Sequence, residues 1–211
     1  YKTLAAACED HGFFILIDHD KDALIEQVFA QSSDFFAAPK REKLKIFRDE
    51  TNPLGYFDRE LTKQKRDLKE VFDFKAGGYL SRDPTKQTRW PEQRAGFREA
   101  LTEFFEAFTE LSDTTMRMVF EALGIPGAAI AQIMTDGFGT LHSSTARLNF
   151  YPAEDPVPGE ERSGLNQLGD MALHHHTDPG AITLLLQDDH GGLQANSKAR
   201  GWIDVPPLKG S

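Results

Sequence analysis

Cysteine is almost absent: Cys8 is the only one in 211 residues. A disulfide within the chain and a thiolate metal cluster are therefore both excluded, and a reducing, cytoplasmic setting fits this usage best. No apolar run approaches the length needed to span a bilayer. Positive charge is the scarcer sign, with 24 Lys and Arg against 33 Asp and Glu and a formal net charge of −9. A surface of that sign repels phosphate backbones and anionic headgroups, which argues against nucleic acid or a membrane as partner. Internal repeats and low-complexity tracts are missing as well. What is plentiful is phenylalanine, 16 residues in a chain that is 39% hydrophobic and 27% charged, a composition that packs into a globule. The length points to one large domain or one and a half ordinary ones and suffices to bury a real core.

The chain opens at Tyr1 already inside a helical pattern, without an initiator Met or signal peptide, and stops at Ser211 just after a strand-like segment. It reads as a fragment of a longer protein. Apolar spacing of three and four predicts helices over residues 2–10, from a cap at Asp20 to Phe35, in a short stretch opened by Pro39, and over residues 97–123, where Gly124 and Pro126 mark the end. Phe97, Leu101, Phe104, Phe108, Leu111, Thr115 and Val119 form the stripe of that long helix, a packing face with no cofactor role. β-favouring runs predict strands at residues 13–17, 71–74, 145–151, 172–177, 181–187, 193–196 and 202–205, with a hairpin turn at residues 188–192. Helices followed by strands give an α+β class. The division expected is a helix-rich region over residues 1–135 and a β sandwich or barrel over residues 136–211.

The densest chemistry lies in Leu173-His174-His175-His176-Thr177-Asp178-Pro179-Gly180. Along a strand, side chains two apart share a face, so His176 and Asp178 are expected to point the same way, with His174 beside them. An imidazole and a carboxylate brought together suit a divalent first-row metal. Two His and one carboxylate on one face of an octahedron leave three positions open for substrate and dioxygen. Two bland or rival readings stand beside this one. Clustered histidines can simply line a polar hairpin. His174, His176 and Asp178 also satisfy H-x-H-x-D, similar to the start of the binuclear zinc signature of metallo-β-lactamase-like hydrolases, but Pro179 stands where that signature needs another His. Asn149 and Tyr151, again two apart, are on their own an ordinary cross-strand hydrogen-bonding pair.

A longer pattern carries a resemblance. His176-Thr177-Asp178-Pro179-Gly180, Ile182 to Asp189, Gly191-Gly192-Leu193-Gln194 and Gly201-Trp202-Ile203 are similar to the iron(II)- and 2-oxoglutarate-dependent dioxygenases of the isopenicillin N synthase-like group. Upstream, residues 7–14, Gly55-Tyr56 and residues 67–73 resemble that group's N-terminal region, and Arg147 to Pro152 resembles the segment entering its catalytic barrel. The resemblance implies a helix-rich N-terminal region around a double-stranded β-helix of jelly-roll type, incomplete in this chain. It implies His176 and Asp178 as the first two Fe(II) ligands, and Asn149 and Tyr151, with Arg147 on the same face, beside the cosubstrate 2-oxoglutarate. The activity implied is hydroxylation or desaturation of a small organic substrate with dioxygen.

The group's third ligand, a downstream His, and the Arg-x-Ser pair that follows it are not in this chain. His190 sits in the expected turn and His142 near a strand start, neither well placed to replace it. The isolated fragment is accordingly expected to be inactive and prone to aggregate along its unpaired edge. Three other readings stay open: an iron oxidase of the same group that uses no 2-oxoglutarate, a zinc-dependent hydrolase, and a binding module without enzymatic activity.

Overall fold

The computed structural model describes residues 1–81, 83–139 and 144–211. The chain is α+β, as expected, and separates into two compact units, one comprising Ala30–Glu106 and His142–Pro179, the other Tyr1–Phe29, Ala107–Leu141 and Gly180–Ser211.

The first unit is built on a three-stranded antiparallel sheet with β4 (Glu70–Phe74) between β1 (Gly55–Phe57) and β5 (Ala146–Phe150). Every residue of β4 is buried, which the run Val71-Phe72-Asp73-Phe74 prepares: alternate side chains must find cover on both faces. One face presents Phe72 and Phe74 to an aromatic cluster. Phe72 lies 5.2 Å from Phe35 and 5.4 Å from Phe97, and Phe74 lies 5.8 Å from both Trp90 and Phe105. Phe35 closes helix α2 (Asp22–Phe36), while Phe97 and Phe105 belong to the first turns of α4 (Phe97–Ala122). Of the periodic stripe of the long helix, Phe97 and Leu101 are buried here, and Phe105 beside them is buried as well. Gly55 is the one residue that β1 can place against the turn after α3 (Lys40–Lys43), because a Cβ there, at φ 136°, would come within 2.4 Å of the Ile46 carbonyl oxygen. A small hairpin, β2 (Leu61–Thr62) with β3 (Lys65–Arg66), completes this unit.

The second unit holds α1 (Lys2–Asp10), α5 (Gly127–Ile133) and the hairpin of β6 (Gln194–Ser197) with β7 (Gly201–Asp204). Met116, Ile130 and Met134 form its buried cluster, covered by Phe120, Ile125 and Ile182. The end of α1 is tied to the β6–β7 turn: Lys198 N–H donates to the Asp10 carbonyl at 2.9 Å and His11 Nδ1 meets Ser197 Oγ at 2.8 Å. Gly124, at φ 77°, ends α4, and the Ile125 N–H reaches back to the Phe120 carbonyl. No helix among the described residues is long and apolar enough to cross a membrane.

Several sequence expectations fail in a common way. Residues 13–17, 172–177 and 181–187 belong to no strand, and Phe13, Ile15 and Ile17 are 42–54% exposed. A strand exists only where a neighbour supplies hydrogen-bond partners, and among the described residues none lies beside these three segments. The turn at residues 188–192 forms, yet it joins no hairpin, since β6 pairs with β7 through Ala195 and Ile203. Asp20 does not cap α2. It takes φ 56°, the helix starts at Asp22, and the Lys21 N–H is received by His19 Nδ1 at 3.1 Å. Strands β1 to β3 and helix α5 carry no alternating or periodic signal long enough to read.

Candidate metal and cosubstrate site

Strand β5 sets its alternate residues on opposite faces. Leu148 is buried, and Phe150 on the same side stacks on Phe36 at 5.3 Å. Arg147, Asn149 and Tyr151 therefore share the other face, as the sequence spacing requires, and Asn149 stands opposite Val71 of β4. Arg147 stands opposite Asp73 and is firmly engaged: its Nε donates to Asp73 Oδ1 and its Nη1 to Glu60 Oε2, both at 2.6 Å. Arg48 bridges the same two acids, and Lys69 Nζ reaches Glu60 at 3.0 Å and Asp67 at 3.4 Å. Desolvation by itself would raise the Glu60 carboxyl, but the charges of Arg147, Lys69 and Arg48 outweigh it and hold the group at about 2. Tyr151 is pushed the other way. Burial, and then the charge of Asp67, raise its phenol above the ordinary value, so the hydroxyl stays a hydrogen-bond donor throughout the neutral range.

The segment after Leu173 is not a strand, so the expected common face of His174, His176 and Asp178 does not form. His174 turns inward, with a side chain only 12% exposed. His176 and Asp178 point outward, 44% and 48% exposed, and their Nε2 and Oδ1 atoms lie 3.2 Å apart. His176 Nδ1 lies 3.0 Å from the His174 carbonyl oxygen. A carbonyl can only accept, so Nδ1 is the side that donates to it, and Nε2 is the nitrogen that faces Asp178. His175 contacts Lys63 at the surface.

Of the remaining histidines, His190 is exposed and joined to Asp188 and Asp189 at 3.1 and 3.2 Å, within a turn where Asp188 Oδ1 receives the His190 N–H. This is the one group of three close His, Asp or Glu donors among the described residues, and no third donor of that kind joins His176 and Asp178. His142 lies outside the described residues. Donor chemistry at His176 and Asp178 fits a divalent first-row ion: one imidazole nitrogen, with the other ring nitrogen turned to a backbone carbonyl, and one carboxylate oxygen. Two donors bound at right angles at ~2.1 Å would sit about 3 Å apart, close to the spacing found.

Sequence reasoning missed Glu60, Arg48 and Asp67. Only Asp73 gave a signal, as a charge inside an otherwise apolar strand.

Comparison with known proteins decides the family. Residues 1–95 match the model described as non-haem dioxygenase in morphine synthesis, N-terminal, and residues 142–211 match that of the 2OG-Fe(II) oxygenase superfamily. The chain belongs to the 2-oxoglutarate and iron(II) oxygenases. It is 34% identical to naringenin,2-oxoglutarate 3-dioxygenase of Hordeum vulgare over 99% of this chain and 52% of that protein. Among solved structures, a full-length Neurospora crassa protein in complex with alpha-KG superposes with TM-score 0.76 at 28% identity, covering 99% of this chain and 64% of the other. JOX2 in complex with 2OG, Fe and JA gives 0.74 at 25% identity, covering 99% and 58%. The chain spans about half the length of the curated relatives it matches.

Proposed function

We propose that the protein of which this chain is part is an Fe(II)- and 2-oxoglutarate-dependent dioxygenase that hydroxylates or desaturates a small organic molecule. The observation that carries the reading is the pair His176 and Asp178, two outward side chains whose Nε2 and Oδ1 atoms lie 3.2 Å apart, with Nδ1 of the histidine turned to the His174 carbonyl. Iron, when bound there, supplies the dioxygen chemistry that couples decarboxylation of 2-oxoglutarate to oxidation of a substrate C–H bond. His176 and Asp178 hold the ion. Asn149 and Tyr151 are assigned to the 2-oxoglutarate, as an amide and a phenol donor two residues apart on one face. Arg147 is assigned to the same cosubstrate face, where its guanidinium is shared with Asp73 and Glu60.

The proposed division into a helix-rich region over residues 1–135 and a catalytic double-stranded β-helix from residue 136 onward is supported by the two family matches, which fall on either side of it. A cytoplasmic location and the absence of nucleic-acid or membrane partners belong to the same reading, motivated by the single cysteine and the charge of −9.

The test uses the protein in the longest form its gene encodes. It is reconstituted without oxygen with Fe(II) and 2-oxoglutarate, offered naringenin and a panel of small aromatic and terpenoid compounds, and assayed for succinate on admitting air. Succinate well above a His176→Ala control is expected. No succinate above that control overturns the reading.

A further inference from the structure

We propose that Asp67 and His174 are a positioning pair that orients His176 for the metal, seated by Gly169. The proposal rests on the reading of His176 and Asp178 as metal ligands. Its starting point is a shelf stitched to the β2–β3 hairpin. Arg66 N–H donates to the Gln167 carbonyl and Gly169 N–H to the Arg66 carbonyl, each at 2.8 Å, and Asn166 Nδ2 donates to the Gln64 carbonyl at 2.8 Å. The His174 ring lies on this shelf. A Cβ at Gly169 would stand 2.3 Å from His174 Cε1 and 3.2 Å from Nδ1. Position 169 therefore needs glycine for space, because any side chain displaces the ring.

Beneath the ring, two buried polar atoms face each other. Asp67 is 1% exposed and its Oδ1 has no hydrogen-bond partner, and His174 Nδ1 has none either; they lie 3.8 Å apart. The other Asp67 oxygen is held by Thr62 Oγ1 at 2.8 Å and by Lys69 at 3.4 Å, and His174 Nε2 meets Asp170 Oδ1 at 3.1 Å. A buried carboxylate oxygen and a buried ring nitrogen without hydrogen-bond partners are each costly, and the 3.8 Å approach between them, longer than a hydrogen bond, is the polar contact recorded for both. The clearance at Gly169, the approach to Asp67 and the Asp170 contact together place residue 174, whose backbone carbonyl faces His176 Nδ1 at 3.0 Å. Side chain and carbonyl of one residue thus link a buried acid to the tautomer and ring direction of a ligand, an arrangement of the kind that sets metal affinity.

The test measures Co(II) binding to the full-length protein without cosubstrate, read both as a dissociation constant and as the intensity of the visible d–d bands. His174→Ala, Asp67→Asn and Gly169→Ala are each expected to weaken binding about ten- to a hundredfold. Gly169→Ala is expected to add nothing in the His174→Ala background, since it acts only through the ring. His174→Asn, whose carboxamide nitrogen can take the place of Nδ1, is expected to recover most of the affinity, a rescue that a general loss of stability would not give. If His176→Ala leaves Co(II) binding unchanged, the metal reading itself fails. If His176→Ala abolishes binding while the three single variants stay within about twofold of the parent, or if the effects of Gly169→Ala and His174→Ala simply add, the positioning role is overturned and the metal reading stands. Should His174→Ala and Asp67→Asn not fold, Gly169→Ala compared with His174→Asn decides by the same criteria.

Discussion

Tyr151 is proposed as a hydrogen-bond donor to 2-oxoglutarate, and its phenol, at the ordinary pKa or raised above it by burial, keeps its proton near neutrality. A hydrogen bond to a charged acceptor contributes about 1.5–3 kcal/mol. Tyr151→Phe is therefore expected to raise KM for 2-oxoglutarate roughly tenfold or more while changing kcat less, and Asn149→Ala to do the same; steady-state kinetics with 2-oxoglutarate as the varied component checks both. Equal loss in kcat with KM unchanged would remove them from cosubstrate binding. At this scale the sequence is legible wherever chemistry is local. His176 and Asp178 stand two apart, and so do Asn149 and Tyr151, so spacing alone suggests each pair. Arg147 reads only halfway, because its acids lie 74 and 87 residues distant and nothing in a linear pattern joins them. His174 reads wrongly for a different reason: strand alternation places it with His176, whereas the absence of a ladder lets its ring turn inward to Asp67.

Elements are held together here by side chains as much as by ladders, and the clearest case is Arg66 at the end of β3. Its Nη1 and Nη2 form a two-pronged pair with Asp155 at 2.9 and 2.7 Å, with both side chains less than 10% exposed. Its backbone is at the same time stitched to Gln167 and Gly169. Removing the acid leaves a buried, unpaired guanidinium, so Asp155→Ala is expected to cost about 3–5 kcal/mol, measured as a fall in the denaturant midpoint at unchanged slope. Phe72→Ala, which opens a hole where the sheet meets α2 and α4, is expected to cost a similar ~3–5 kcal/mol in the same assay. A loss below about 1 kcal/mol in either variant would contradict the packing described. The long helix and strand β4 are legible because each carries its own complete signal, a stripe of period 3.6 in one and an unbroken β-favouring run in the other. Residues 13–17 and 181–187 have equally strong runs but no strand beside them among the described residues, and apolar alternation records a demand for cover without naming what supplies it.

Across the whole molecule the charge is −9, yet the acids that matter for stability are those facing cations inside the first unit. Glu60 illustrates the sign. Its carboxyl is held at about 2 against an ordinary 4.5, because Arg147, Lys69 and Arg48 outweigh the desolvation that opposes them. A group whose folded pKa is depressed contributes stability that is fully present above its unfolded value and disappears as the pH falls through the folded one. The window here runs from about 4.5 down to about 2, and the full linkage corresponds to about 3 kcal/mol. Asp155, lowered chiefly by its hydrogen bonds from Arg66, acts in the same direction. Denaturant midpoints are therefore expected to stay level from pH 8 to 5 and to drop steeply below about 4.5. Glu60→Gln removes one titrating group, so its curve should begin lower at neutral pH, where Arg147 and Arg48 lose a shared counter-charge, and should fall less between pH 4.5 and 2. An acid limb of the same slope in the parent and in Glu60→Gln would mean that other carboxylates control the transition and that this network does not.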